Sequence, residues 1–462
     1  MTGYVLVSVI VVVLLIFIAP TSRRMASRCV CAIVGYVRGY PIDENKIQLP
    51  PYTEYNAVKL LVNGNEILPT MLELIGDAHQ TIRFQVMLFH PDEAGKEVGS
   101  ALAEAARRGV EVQLSFDMTQ SLKGPPFLRY SREESQQRQQ AMNALIQDFH
   151  QAGVSVMDNP MGTHFGVNDL SDQAAEVQRE VLESTCVGAN HVDHRKFIIV
   201  DGRLAIIGGA NVGNEYLYKI PPDLEQRMDL EAVSRRESDL EEAWEKWLET
   251  AVLAEGPAVQ QLVEEFNNRW EIIGGEPIPA ESILLESGEI GVQVLSQRPG
   301  NEEIAVSYME LIRGARESIF ISSPYVSYEP ALQLLMQAAS RGVKVVFVFP
   351  GEFNDTPIST RIFRGYTRDL VPVGVQVYES NERMIHSKVM VVDNRWTTIG
   401  SFNLDHRSFN HDFEQNLVVD DSDFASEVIE RIFEKYMSIS TLLIAPYTRR
   451  LNLFERLILP FS

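Results

Sequence analysis

Apolar positions along the chain arrive in runs of more than one kind. Phe197-Ile198-Ile199-Val200 and Val389-Met390-Val391-Val392 are wholly apolar and largely β-branched, the pattern of strands buried on both faces. Met71-Leu72-Glu73-Leu74-Ile75-Gly76-Asp77-Ala78 reads as a helix before a strand at 81–89. A second helical segment, ending in Ala105-Ala106-Arg107-Arg108-Gly109, leads to a strand from Val110. The same order recurs as Met309-Glu310-Leu311-Ile312-Arg313-Gly314-Ala315-Arg316, a strand at 318–325, and Ala338-Ala339-Ser340-Arg341-Gly342 before a strand from Val343. Helix, strand, helix, strand is thus written twice, with Gly109 and Gly342 ending helices ahead of buried strands. This predicts an α/β fold of two related sandwich-like halves.

The repeat also carries the candidate chemistry. In the first copy Lys196, Asp201, Gly208 and Asn211 follow His194 by 2, 7, 14 and 17 positions, and in the second Lys388, Asp393, Gly400 and Asn403 follow His386 at the same spacings. Residues i and i+2 of a strand share a side, so each copy sets an imidazole beside an ammonium. Asp201-Gly202 and Asp393-Asn394 are turn formers before returning strands at 204–207 and 396–399; anchoring those turns is the main reading of both aspartates and catalysis the lesser one. Gly208-Gly209 and Gly400-Ser401 leave room for a ligand, with Asn211 and Asn403 offering amides. Gly209, Ser401, Asn211 and Asn403 are therefore the candidate phosphate contacts.

Two such half-sites facing each other would gather two imidazoles, two ammoniums and two amides, an inventory suited to a phosphodiester. One histidine attacks phosphorus and the other protonates the leaving alkoxide. Each imidazole calls for an orienting carboxylate, and Glu414 is expected to serve His386 and Glu249 to serve His194. No metal or cofactor is required, because the lysines carry the charge; His191 with His194, and His406 with His411, lack companions at ligand spacing. His79, His90, His150 and His164 read as surface or packing residues.

Composition narrows the partners. The 462 residues are 45% hydrophobic and 23% charged, as in a globular chain of two or three domains, and the formal net charge of −22 argues against nucleic acid as partner. Cys29, Cys31 and Cys186 are too few and too unevenly placed for a disulfide framework. Residues 3–19 form an uncharged apolar run followed by Arg23, Arg24 and Arg28, which predicts a single membrane anchor with the bulk of the chain in the cytoplasm; a cleaved signal peptide is the alternative. The resulting divisions are 1–31 for the anchor and its basic flank, 32–55 for a linker, 56–275 and 276–440 for the two halves, and 441–462 for an amphipathic C-terminal segment. The first half carries polar additions at 131–190 and 221–247, expected as surface elaborations, with a lid shaping substrate access as the lesser reading. In the C-terminal segment Leu451, Phe454 and Ile458 share a helical face near Arg449, Arg450 and Arg456, which suits either a membrane surface or the protein's own core.

At these residues the chain resembles the phospholipase D superfamily, whose signature is HxKx4D followed by a Gly-rich turn and Asn. The likeness spans most of 56–462 and is greatest to its bacterial cardiolipin synthase branch, through Asp193-His194-Arg195-Lys196, Gly208-Gly209-Ala210-Asn211, Glu215-Tyr216, Gly400-Ser401-Phe402-Asn403 and Phe413-Glu414. The resemblance implies two pseudo-symmetric α/β/α sandwiches around one shared active site behind an N-terminal membrane helix in the bacterial inner membrane. It implies transfer of a phosphatidyl group between phospholipids, with His194 as nucleophile and His386 as acid and then base. Two phosphatidylglycerols would give cardiolipin and glycerol. Alternatives on the same scaffold are a hydrolytic phospholipase or a nuclease, and outside it a non-catalytic lipid-binding protein. Asp193 and Glu249 stand where that branch commonly has Asn and Asp, which predicts that substrate choice is written around His194.

Overall fold

In the computed structural model, described for residues 42, 44, 46–123, 132–159, 192–217, 247–280 and 286–447, both halves build the same succession of elements. The first comprises β1 (Thr53–Val62), α1 (Asn63–Gly76), β2 (Thr81–Gln85), α2 (Glu93–Arg107), β3 (Glu111–Phe116), α3 (Arg132–Ala152), β4 (Ser155–Asp158), β5 (Phe197–Val200), β6 (Leu204–Gly208), β7 (Thr250–Glu255) and α4 (Pro257–Ile272). The second comprises β8 (Ile290–Arg298), β9 (Asn301–Glu302), α5 (Glu303–Gly314), β10 (Ser318–Ser322), α6 (Glu329–Ser340), β11 (Lys344–Pro350), α7 (Pro357–Leu370), β12 (Gln376–Ser380), β13 (Val389–Val392), β14 (Trp396–Gly400), β15 (Glu414–Asp420) and β16 (Ser440–Leu442).

Among the described residues sixteen strands join in one mixed sheet, in the order β16-β12-β11-β10-β13-β14-β15-β8-β1-β7-β6-β5-β2-β3-β4 with β9 on β8. Outward from the β1–β8 seam the two halves repeat one another. β5 and β13 run antiparallel to β2 and β10, which pair parallel with β3 and β11. The halves are less separate than two packed domains, because one apolar core takes Phe197, Val252 and Val263 from the first and Val292, Val389 and Leu417 from the second.

Burial explains the wholly apolar strands. Phe197 and Ile199 of β5 face the shared core while Ile198 and Val200 face the outer core of the first half. On β13, Val389 and Val391 face inward and Met390 and Val392 face the outer core of the second half. The turns after both strands place two successive residues at positive φ, Asp201 at 52° with Gly202 at 59° and Asp393 at 51° with Asn394 at 47°, as a tight hairpin requires. Gly109 and Gly342, at φ 98° and 93°, end α2 and α6 as the sequence implied.

One expected insertion is partly a regular element. The polar stretch from Ser131 begins with α3, which lies between β3 and β4 as α7 lies between β11 and β12, and it buries Met142 and Phe149 against α2. Its remainder beyond residue 159 and most of 221–247 lie outside the described residues, as do the apolar run at 3–19 and the C-terminal segment from 448. Among the described residues no helix is long and apolar enough to cross a membrane.

Candidate active site

Two short bridges between the halves assemble the site. His194 N–H donates to Phe413 O and Phe413 N–H to Val192 O, both at 2.9 Å, so the next residue, Glu414, arrives beside His194. Leu248 N–H likewise donates to Met384 O at 2.8 Å and His386 N–H to Leu248 O at 2.9 Å, which delivers Glu249 to His386. His194 Nδ1 stands 2.9 and 3.1 Å from the two oxygens of Glu414, and His386 Nδ1 is hydrogen-bonded to Glu249 Oε1. The pairing expected within each half is therefore corrected to a pairing across halves. The cause is the parallel contact of each histidine segment with the other half's acid-bearing segment. Neither half holds a complete histidine–carboxylate pair by itself.

The lysines share this enclosure. Lys388 Nζ lies 2.9 Å from each ring nitrogen of His386 and donates to His386 O at 2.7 Å, while Lys196 Nζ donates to His194 O. Burial pushes Lys196 down to about 7 and Lys388 down to about 8. Burial, then the neighbouring ammoniums, hold both imidazoles well below their ordinary value, which favours their neutral forms. Burial raises Glu249 to about 7 and Glu414 to about 8, against the attraction of the lysines.

The two pairs are supported differently. Glu414 accepts from Ser401 Oγ and, at 2.6 Å, from Ser408 Oγ. Ser401, expected at the phosphate, thus spends its hydroxyl on the carboxylate instead. Gly209 occupies the position equivalent to Ser401, and a Cβ there would come within 2.7 Å of Glu249 Oε2, an oxygen without a hydrogen-bond partner among the described residues. Asn211 Oδ1 accepts from Leu88 N–H at 3.1 Å, whereas Asn403 N–H donates to Ser408 Oγ and its Oδ1 is buried without a hydrogen-bond partner among the described residues. The histidines also differ in access: the His194 side chain keeps 12% of its surface, that of His386 only 3%. Trp247, Tyr216 and Tyr325 surround the His386 ring at centroid distances of 4.8, 5.5 and 6.0 Å.

Asp201 and Asp393 stand at the far ends of β5 and β13. Asp201 accepts backbone N–H bonds from His79, Gln80 and Thr81, and Asp393 from Arg316, Glu317 and Ser318, at 2.7–3.0 Å for the shortest contact of each. Five residues of extended chain separate each from its lysine, about 16 Å at roughly 3.3 Å per residue, so the lesser, catalytic reading of both gives way to turn anchoring. Asp193 does not face the site either. Arg195 holds it at 2.8 and 2.7 Å, Arg269 at 3.0 Å and Asn159 at 3.1 Å, and despite its burial the two guanidiniums keep it well below the usual carboxylate range. His90, read as a packing or surface residue, is buried with its Nε2 3.1 Å from Glu215 Oε1.

Sequence reasoning missed Ser408, Arg269, Asn159, Tyr216 as a wall residue, Trp247 and Tyr325. Only Tyr216 and Trp247 had a signal, lying beside residues already singled out. Among the described residues no group of three or more His, Cys, Asp or Glu could hold a metal ion.

A family model described as cardiolipin synthase, PLD-like domain matches residues 71–221 and 308–437. Cardiolipin synthase A of Pseudomonas syringae pv. syringae is 31% identical over 383 residues, covering 82% of this chain and 68% of that protein. A cardiolipin synthase of Geobacillus thermodenitrificans is 28% identical over 410 residues, covering 87% and 69%. Among solved structures, phosphatidylserine synthase of Haemophilus influenzae superposes with a TM-score of 0.57 at 15% identity, covering 91% of this chain and 94% of that one, a likeness of fold.

Proposed function

Because the chain belongs to the cardiolipin synthase family of phospholipase D-like proteins, we propose that it moves a phosphatidyl group from one phosphatidylglycerol to another, giving cardiolipin and glycerol. The observation that carries the reading is the crossed pair of imidazoles, each with Nδ1 against a carboxylate from the other half. A carboxylate at Nδ1 fixes the tautomer and steadies the imidazolium as charge develops.

In the first step Nε2 of His194 attacks phosphorus, the P–O bond to glycerol breaks, and His386 gives its proton to the departing oxygen. In the second, the hydroxyl of another phosphatidylglycerol gives its proton to His386 and attacks the phosphohistidine, releasing His194. The better-exposed His194, backed by a carboxylate that two serines stabilise, suits the nucleophile, and the caged His386 suits the proton carrier. Lys196 and Lys388, with the amides of Asn211 and Asn403, would meet the phosphoryl oxygens. Arrival of the phosphodiester anion raises the proton affinity of the imidazoles, so that His386 enters the first step charged.

We place the protein at the bacterial inner membrane, anchored through residues 3–19, where its lipid substrates reside. Purified protein in phosphatidylglycerol vesicles tests the activity: cardiolipin and glycerol should appear in equal amounts. Phosphatidic acid as the sole lipid product would overturn the transfer and leave hydrolysis.

A further inference from the structure

Beside His386 the two halves cease to be copies. The bridges Phe89 to Val212 and Val326 to Leu404 put Leu88 and Tyr325 at equivalent positions, against Asn211 and Asn403 respectively. Leu88 is apolar and its N–H ties down the Asn211 amide oxygen. Tyr325, half-buried as a residue, instead sets its ring 6.0 Å from that of His386, and its hydroxyl donates to Asp355 Oδ1 at 2.7 Å.

Asp355 sits in a turn built to hold it. Asn354 Nδ2 donates to Pro324 O at 2.9 Å and Thr356 N–H to Asn354 Oδ1 at 2.8 Å, tying the turn before α7 to the segment that carries Tyr325. Burial pushes Asp355 up to about 6, while the Tyr325 hydroxyl and the Lys388 ammonium act to keep it ionised. A buried acid is costly, and neither step of the transfer uses this one. Across the same wall Asn403 Oδ1 is buried without a hydrogen-bond partner among the described residues. The three oxygens are linked through Tyr325: its ring flanks the imidazole that handles alcohol protons, its hydroxyl holds the Asp355 carboxylate, and the bridge from Val326 to Leu404 sets the Asn403 segment beside it. All three are acceptors, and each carboxylate oxygen has capacity beyond one bond.

We propose that Asp355, with Tyr325 and Asn403, forms a subsite for the spare hydroxyl of a glycerol-type headgroup, selecting a polyol over a simple alcohol as the partner in transfer. The inference rests on the transfer reading above. A glycerol headgroup has one hydroxyl that loses its proton to His386 and another that takes no part in bond making, and the second donates to this wall. A monohydroxy alcohol has nothing to place there.

Competition between acceptors tests it. The full chain turns over phosphatidylglycerol vesicles in the presence of ethanol, and cardiolipin and phosphatidylethanol are measured together. Losing a hydrogen bond to a charged group costs on the order of tenfold or more, so Asp355→Asn should lower the ratio of cardiolipin to phosphatidylethanol by at least about tenfold, whatever the total rate. Tyr325→Phe keeps the carboxylate and should move the ratio the same way by less. An unchanged ratio in folded Asp355→Asn overturns the subsite; should that variant fail to fold, an unchanged ratio in Tyr325→Phe does so. A native chain that makes neither product removes the transfer reading and this inference with it, whereas normal transfer by the native chain with unaltered ratios in the variants removes the inference alone.

Discussion

His194 and Glu414 are 220 positions apart, in opposite halves, and yet Nδ1 of the one stands 2.9 Å from Oε2 of the other. The reciprocal bond joins His386 to Glu249 across 137 positions. Each half therefore supplies a histidine that only the other half can orient.

Crossed pairing makes a specific statement about coupling. In double-mutant cycles read by thermal unfolding, His194→Ala and Glu414→Gln should interact by about 1–3 kcal/mol, while His194→Ala and Glu249→Gln should be additive to within about 0.5 kcal/mol. The reverse pattern would restore pairing within halves.

The pH profile of kcat/KM follows from the buried lysines. Their charge is lost as pH rises through about 7 for Lys196 and about 8 for Lys388, and with it the attraction for the phosphodiester, so kcat/KM should fall across that window. On the acid side the depressed imidazoles remain neutral through pH 6.5, so no loss is expected there from protonation of His194. Lys196→Arg, charged at every accessible pH, should move the alkaline limb upward even at a reduced rate. A flat profile to pH 9 would contradict this assignment.

Asp201 and Asp393 should behave as anchors. Replacing either with Ala removes a carboxylate that gathers three successive N–H groups, and should destabilise the fold by about 1–3 kcal/mol. The protein that remains folded should keep its pH profile. An altered profile with unaltered melting would return these aspartates to the chemistry.

Gly209 is constrained by space. A methyl group there would stand 2.7 Å from Glu249 Oε2 and 3.3 Å from Lys388 Cδ, so in Gly209→Ala the carboxylate moves and His386 loses its fixed orientation. Loss of kcat by tenfold or more, on the order of one general acid–base contribution, is expected with little change in KM. Full kcat would show that Glu249 has room to yield.

The fold was legible in the sequence because both kinds of signal repeat: wholly apolar β5 and β13 are buried on two faces, and Gly109 and Gly342 end helices at positive φ. The four histidine and lysine positions were legible for the same reason. The partners of the histidines were not, because spacing along the chain carries no record of two segments exchanging places across a seam. Asp193 misled through its position next to His194, since its partner Arg269 lies 76 residues away on α4. α3 reads as an insertion in the sequence because its long polar face hides a short buried stripe that includes Met142 and Phe149. Tyr325 gave no signal because its counterpart in the first half is the apolar Leu88, and the sequence does not record that it meets Asp355.

The proposed transfer passes through a covalent intermediate on one histidine of an unequal pair. The native enzyme, mixed with phosphatidylglycerol labelled at phosphorus and quenched within the first turnover, should carry an alkali-stable, acid-labile label on the peptide that contains His194, and His194→Ala should carry none. Label on the His386 peptide, or undiminished turnover with no label on either, would contradict the account.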